Sequence, residues 1–255
     1  MSDKRPYRVS VVLPAFNEEP NIPTLLEKTS RALAANGMDG EIILVDDGST
    51  DGTGQAADEA AKTCPNLRVF HHRRNLGLTR ALMTGFEHAQ GDVIVFLCSD
   101  LQSDPEEDIP KLVAELDKGA DVALGWRQGR SDGRVVVSKL YHWLSRLLFG
   151  ITAHDMNWIK AFRREVVEGM KLRSDWHRYI AVLAAAEGYR IAEVKTNCYP
   201  RRHGASKFGR RRILAGFFDL LAIKFQTSFI DRPMLFFGSL GLALLFVSFL
   251  IGGYG

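Results

Sequence analysis

The residues best suited to chemistry are oxygen donors that follow short apolar runs. Asp100, Gln102 and Asp104 come directly after Val93 to Leu97. Asp46 and Asp47 come after Glu41 to Val45, and Asn17, Glu18 and Glu19 after Val9 to Leu13. Carboxylates and side-chain amides are hard ligands, matched to Mg²⁺ or Mn²⁺ rather than to softer metals. A cation held at such a place would neutralise a diphosphate. The competing use for these residues is local. Asp, Ser and Pro make turns, and Asp104 before Pro105 is a natural cap for the helix expected from Glu106.

Each apolar run has the length and composition of a buried strand. Strands are expected at Val9–Leu13, Glu41–Val45, Leu67–His71, Asp92–Leu97 and Ala120–Gly125. Helices are expected at Ile22–Ala35, Thr53–Lys62, Asn75–Ala89 and Glu106–Leu116. Strand and helix alternate through short loops, the pattern of a doubly wound, mostly parallel α/β sheet flanked by helices. In such sheets ligands sit at the carboxyl ends of the strands, so the three polar clusters converge on one crevice. A dinucleotide-binding fold would carry Gly-x-Gly-x-x-Gly after its first strand. The turn Pro14-Ala15-Phe16-Asn17-Glu18-Glu19 has no glycine, which argues against a dehydrogenase. Carboxylates after the first two strands suit a ribose and a base, and one after the fourth suits a phosphate-bridging metal. Together they describe a nucleoside diphosphate, most simply a nucleotide sugar.

At 255 residues, 46% apolar and 25% charged, the chain has room for one large α/β domain and an appendage. Three cysteines, Cys64, Cys98 and Cys198, show no framework spacing and suit a reducing compartment. Beyond Arg127 the rhythm changes. An amphipathic helix is expected over Val135–Phe149, further helices over Arg164–Met170 and Trp176–Glu187, and a strand over Ile191–Lys195. Arg201, Arg202, Lys207, Arg210, Arg211 and Arg212 then fall within twelve residues. Ile213 to Phe229 reads as a helix lying in a membrane interface. Pro233 to Gly253 carries no charge, and its 21 residues span about 31 Å as a helix, enough to cross a hydrocarbon core. Arg232 and the basic cluster lie on its amino-terminal side, so the positive-inside rule places the preceding chain in the cytoplasm. The expected organisation is a catalytic domain at 1–205, an interfacial helix at 206–230 and a transmembrane helix at 231–255.

Val-Val-Leu-Pro-Ala-Phe-Asn-Glu-Glu (11–19), Val-Asp-Asp-Gly-Ser-Thr-Asp-Gly-Thr (45–53) and Arg-Asn-Leu-Gly (74–77) resemble the family-2 glycosyltransferases of GT-A fold. The resemblance covers about residues 8–125 and, more loosely, the rest. Gly204-Ala205-Ser206-Lys207, followed by the apolar segments, resembles the polyprenyl-phosphate (dolichyl- and undecaprenyl-phosphate) sugar synthases within that family. The Gln-x-x-Arg-Trp motif of the processive synthases is absent from the sequence.

The resemblance implies that Pro14, Ala15, Asn17 and Glu19 line the nucleotide, that Asp46 or Asp47 meets the base or ribose, and that Arg80 contacts the nucleotide. Asp100 and Gln102 are the implied ligands of Mg²⁺ or Mn²⁺. The family pattern is Asp-x-Asp-x-Gln, and this chain has Cys98-Ser99-Asp100-Leu101-Gln102, with a soft thiol in the first place. Arg201, Arg202, Ser206 and Lys207 are the implied contacts of the lipid phosphate, joined by Lys160 or Arg163, where the family has an arginine. Asp100 and Lys207 are the residues expected to carry catalysis. His154, Asp155, Asp175 and His177 remain for acid–base work.

A phosphate monoester is mostly dianionic near pH 7, because its second pKa is about 6. It needs positioning more than deprotonation, so no general base is required. Attack at the anomeric carbon, opposite the leaving diphosphate, inverts configuration. The expected partners are a nucleotide-diphosphate sugar, a polyprenyl phosphate and the membrane, without nucleic acid, and a homo-oligomer is compatible with the sequence. Two other readings fit: a family-2 transferase with a different membrane or envelope acceptor, and an impaired nucleotide-sugar-binding protein, the latter prompted by Cys98.

Overall fold

The computed structural model describes residues 7–128, 149, 153–170, 172–201, 221–225 and 233–252. These fall into two compact units, one containing the described residues up to Arg201 except Phe149, the other containing Phe149, 221–225 and 233–252.

The first unit is built on a seven-stranded sheet in the order β3-β2-β1-β4-β6-β5-β7. The strands are β1 (Tyr7–Ala15), β2 (Gly40–Asp46), β3 (Leu67–His71), β4 (Gly91–Phe96), β5 (Val122–Gln128), β6 (Lys160–Arg163) and β7 (Ile191–Asn197). All run parallel except β6, which is antiparallel to both β4 and β5. The helices of this unit are α1 (Ile22–Ala35), α2 (Thr53–Ala61), α3 (Leu78–His88), α4 (Pro105–Asp117), α5 (Arg164–Val167) and α6 (Ile180–Ala186). Two 3₁₀ turns, Glu19–Asn21 and Trp176–Tyr179, precede α1 and α6.

The central strands bury both faces, which explains their unbroken apolar runs. Val9, Val11 and Leu13 join one core cluster with Leu25, Ile109 and Leu112 of α1 and α4. Val12 turns to the other face and joins Ile43, Leu82, Phe86 and Ile94. There α3 comes so close to β1 that a Cβ added to Gly85 would lie 2.3 Å from Val12 Cγ1. The chain moves outward from β1 to β3 and then returns to place β4 on the other side of β1. That reversal opens a crevice between the carboxyl ends of β1 and β4.

The expected strands and helices up to residue 128 are present, with ends unchanged or shifted by up to three residues. Beyond it, Arg164–Met170 contracts to the single turn α5, and Trp176–Glu187 divides into a 3₁₀ turn and α6. Strand β6 was not anticipated. It is four residues long, begins with Lys and ends with Arg, and gives no periodic signal of its own. The helix expected over 135–149 and most of the interfacial segment lie outside the described residues.

In the second unit, α7 (Pro233–Gly252) has a continuous backbone over 20 residues with no charged side chain. Phe237, Leu242, Phe246 and Phe249 stand exposed on it. Phe225 contacts Phe237 with ring centroids 5.9 Å apart, and Lys224 Nζ lies 5.7 Å from the Phe149 ring. Among the fully described residues alone, no helix is long and apolar enough to cross a membrane.

The first turn of α4 is capped by Asp104, whose Oδ1 accepts from Glu106 N at 3.1 Å while Lys28 of α1 pairs with its other oxygen. Glu106, Glu107 and Asp108 suit the positive end of the helix. Asp108 is buried, its Oδ2 accepts from Asp104 N, and its Oδ1 has no partner among the described residues. Burial raises its pKa to about 7. A carboxyl with a raised folded-state pKa stabilises the fold below its unfolded pKa, near 4, and loses that contribution as pH climbs through 7. We predict that Asp108→Asn is more stable than the parent at pH 8, by at most about 4 kcal/mol at ~1.4 kcal/mol per pKa unit. The gap should close as pH falls toward 4 in urea unfolding followed by circular dichroism. A gap independent of pH would show that Asp108 ionises normally.

Candidate active site

Three strand ends meet at the crevice, and their loops are laced together. Asp47 N donates to Ala15 O at 2.8 Å, and Ser99 Oγ donates to Pro14 O at 2.8 Å, tying the ends of β2 and β4 to that of β1. Asn17 adopts a left-handed conformation, φ 53°. Its Oδ1 accepts from Thr50 N at 2.8 Å, and its own N donates to Ser49 Oγ at 3.0 Å. Glu19 Oε2 accepts from Gly52 N at 2.9 Å. Asn17 and Glu19 therefore fasten the first loop to the second.

The paired aspartates face different neighbours. Asp46 Oδ1 accepts from Ser49 N at 3.0 Å, and Oδ2 lies 3.1 Å from His71 Nδ1. His71 also meets Asp58 at 3.0 Å, and although burial pulls its pKa down, the two carboxylates hold it above the ordinary value. Asp47 is more fully used. Oδ1 accepts from Leu76 N at 2.9 Å and sits 2.7 Å from His72 Nδ1, while Oδ2 accepts from Gly77 N at 2.7 Å. One buried carboxylate thus fixes Leu76 and Gly77, the end of the 74–77 loop. Gly48, next along the chain, has φ +69°, and a Cβ there would fall 2.3 Å from the Arg74 carbonyl carbon. Arg80 stands exposed in the first turn of α3.

After β4, Asp100 is nearly buried. Its Oδ1 accepts from Gln102 N at 3.2 Å, and its Oδ2 accepts from Arg201 Nη2 at 2.7 Å. Between Asp100 and Gln102, Leu101 is held at φ 55° and buried in the core cluster. A left-handed leucine is costly, by roughly 1–3 kcal/mol, and persists where packing imposes it. Cys98 is partly covered, and burial followed by the nearby Asp100 pushes its thiol far above the ordinary range. A thiol is a soft donor, poorly matched to a hard cation. Around it stand three cations from three elements: Arg127 of β5, Lys160 of β6 and Arg201 after β7.

Lys160 is 1% exposed. Its Nζ donates to Trp158 O at 2.7 Å and lies 5.6 Å from the Phe96 ring centroid. Burial lowers its pKa to about 8. Arg127 is held by Asp155 through two hydrogen bonds, 2.5 and 3.0 Å, and stacks over Trp158 at 4.8 Å. Asp155 is thereby committed. His154 stacks on Trp126 at 4.0 Å with Nδ1 2.7 Å from Glu193, and His177 Nδ1 lies 2.9 Å from Thr79 Oγ1. Asp175 sits at φ 64° ahead of the second 3₁₀ turn.

The fold brings Pro14, Ala15, Asn17, Glu19, Asp46, Asp47, Asp100, Gln102, Lys160 and Arg201 to one end of the sheet. It does not bring Arg163 there. Arg163 pairs across the sheet with Val93, at the amino end of β4, and donates to Leu116 O and Ala120 O. Arg202, Ser206 and Lys207 lie outside the described residues. Arg127, His71 and His72 belong to the site's framework but carry no motif by which sequence reading would have found them. Among the described residues no cluster of three or more His, Cys, Asp or Glu side chains is arranged to hold a metal.

Residues 10–178 match the family described as "Glycosyl transferase family 2". The chain belongs to this family. Among curated relatives it is 36% identical, over 245 residues, to dodecaprenyl-phosphate galacturonate synthase of Rhizobium johnstonii, covering 92% of this chain and 72% of that one. It is also 36% identical, over 255 residues, to undecaprenyl-phosphate 4-deoxy-4-formamido-L-arabinose transferase of Pseudomonas fluorescens, covering 97% and 74%. Among solved structures it resembles glucosyl-3-phosphoglycerate synthase from Mycobacterium tuberculosis in complex with Mn²⁺, UDP-glucose and phosphoglyceric acid. That likeness has a TM-score of 0.65 and 25% identity over 84% of this chain and 79% of that one. The same enzyme with Mg²⁺ and UDP gives the same score and identity. The mixed α/β sheet flanked by helices is the GT-A fold expected for family 2.

Because Asp47 receives three donors in a buried setting, Asp47→Ala is predicted to destabilise the fold by about 2–4 kcal/mol. It should also free the 74–77 loop. Hydrogen exchange at Leu76 and Gly77 is the direct measurement, and unchanged protection there would deny Asp47 this role.

Proposed function

We propose that this family-2 glycosyltransferase transfers a sugar, with inversion, from a nucleotide-diphosphate sugar to a polyprenyl phosphate at the cytoplasmic face of a membrane. The observation that carries the reading is the match of 92% and 97% of this chain to two transferases named for dodecaprenyl and undecaprenyl phosphate. The charge-free helix α7 with its exposed Phe and Leu side chains supports an anchor in the same membrane as the acceptor. Arg232 and the basic stretch before it support the cytoplasmic assignment.

In this reading the nucleotide lies across the ends of β1 and β2. Pro14 and Ala15 form its floor, and Asn17 and Glu19 shape it by fastening the first loop to the second. Asp46 orders the 48–50 turn and Asp47 the 74–77 loop, so both aspartates act through the surfaces they hold. Arg80 reaches the nucleotide from α3.

Mg²⁺ characteristically binds through one or two carboxylates, substrate phosphates and water. Asp100, with Gln102 beside it, meets that minimum, whereas the neutral thiol of Cys98 adds nothing. A divalent cation held by Asp100 would supply neutralisation of the leaving diphosphate. The protein's own share is electrostatic and positional. Lys160 and Arg127 keep the strand ends positive, which favours charge developing on departing phosphate oxygens. Arg201, Arg202, Ser206 and Lys207 receive the acceptor phosphate, with guanidinium forks matched to its oxygens. The dianionic phosphate needs no base, only alignment with the anomeric carbon.

The test is transfer of labelled sugar to undecaprenyl phosphate in detergent, run with a panel of nucleotide sugars and Mn²⁺. Asp100→Asn should lower turnover by at least about 100-fold, the scale of losing a charge-stabilising group, with circular dichroism unchanged. Full activity in this variant would remove Asp100 from the site, and no transfer from any donor would overturn the proposed reaction. Removal of residues 233–255 should release the protein from inverted membrane vesicles into the supernatant on ultracentrifugation. Retention of the shortened chain would place the anchor elsewhere.

A further inference from the structure

Asp100 is the only carboxylate of the Cys98–Gln102 motif, and both of its oxygens are engaged. Oδ1 accepts from Gln102 N, and Oδ2 accepts from Arg201 Nη2 at 2.7 Å, with the two side chains 12% and 20% exposed. Arg201 lies 101 positions away in the chain, four residues past the end of β7, and it opens the basic stretch that continues through Arg202 to Lys207. A divalent cation drawn to Asp100 competes with the guanidinium already held there. Repulsion between a +2 and a +1 charge at a few ångströms opposes binding both to one carboxylate. Motifs with two carboxylates could satisfy both cations. This one has a single carboxylate for both, with a thiol, Cys98, in the first place and the cations Arg127 and Lys160 also nearby.

We infer that Arg201 is an exchangeable positioning residue: it holds Asp100 until the metal–nucleotide complex arrives, and is then released to bind the phosphate of the acceptor. The inference rests on the nucleotide-sugar reading of the crevice and adds an order to it. Donor and cation bind first, because their arrival frees the arginine that the acceptor needs. In their absence the Arg201–Asp100 pair neutralises a carboxylate that would otherwise repel both phosphate-bearing substrates. The Arg201–Asp100 ion pair thus links the two half-sites and is made and broken once per turnover.

The experiment uses the full-length protein and Arg201→Gln, with Arg201→Lys as the conservative variant. Mn²⁺ is titrated at saturating UDP, and bound metal is followed by electron paramagnetic resonance. Arg201→Gln is expected to lower the half-saturating Mn²⁺ concentration by about 3- to 10-fold, because its competitor is gone. The same variant should raise KM for undecaprenyl phosphate by at least about 10-fold while KM for the donor rises less. Arg201→Lys should fall between, since it keeps the charge and loses the fork. Unchanged or weaker Mn²⁺ binding in Arg201→Gln overturns the inference, as does tighter Mn²⁺ binding with an unmoved acceptor KM. Wild-type protein that binds neither UDP nor Mn²⁺ would instead defeat the nucleotide reading itself, so the two failures are separable.

Discussion

The structure depends on one constraint: β1 is buried on both faces and hydrogen-bonded on both edges. Val11 and Val12 point into opposite cores, and β2 and β4 flank the strand. Between Val9 and Leu13 the one polar side chain is Ser10, and it is buried in a tight pair with Glu41, 2.7 Å apart. Functional groups are therefore confined to the strand ends, and the reversal of chain direction around β1 decides which ends become neighbours. The crevice follows from the packing of the sheet.

At those ends the polar groups mostly hold one another. Asp46, Asp47, Asn17 and Glu19 spend their acceptors on backbone N–H groups and histidines of adjacent loops. They build a rigid rim by satisfying donors that would otherwise lie buried and unpaired. The opposite side of the crevice is organised by charge. Arg127 with Asp155 and Arg201 with Asp100 form two ion pairs, and Lys160 adds a buried ammonium bonded to a carbonyl. Replacing a motif carboxylate by the neutral Cys98 makes this side more positive than the family pattern would.

Much of this was legible in the sequence. The apolar runs at 9–13, 41–45 and 93–97 end abruptly in carboxylates and amides, and that single pattern locates β1, β2, β4 and the crevice. Asp104 before Pro105 announced a cap, and the cap is there. Arg163 was an alternative to Lys160 in the sequence, and the sheet rules it out. The two residues lie three apart in a strand, so they sit about 10 Å apart along the sheet, and only Lys160 is at the end that matters. The strand itself was missed because four residues carry too little periodicity to be distinguished from a loop.

The sequence by itself determined the family, the parallel core and the identity of the oxygen donors, because these depend on local hydrophobic pattern and on motifs within a few residues of one another. The tertiary structure alone decided that β6 runs against its neighbours, that Lys160 is buried beside Cys98, and that Arg201 closes on Asp100 from 101 positions away. Those facts arise where distant segments meet, and the energy that fixes them is the pairing and desolvation of charges, which no spacing within a single segment records.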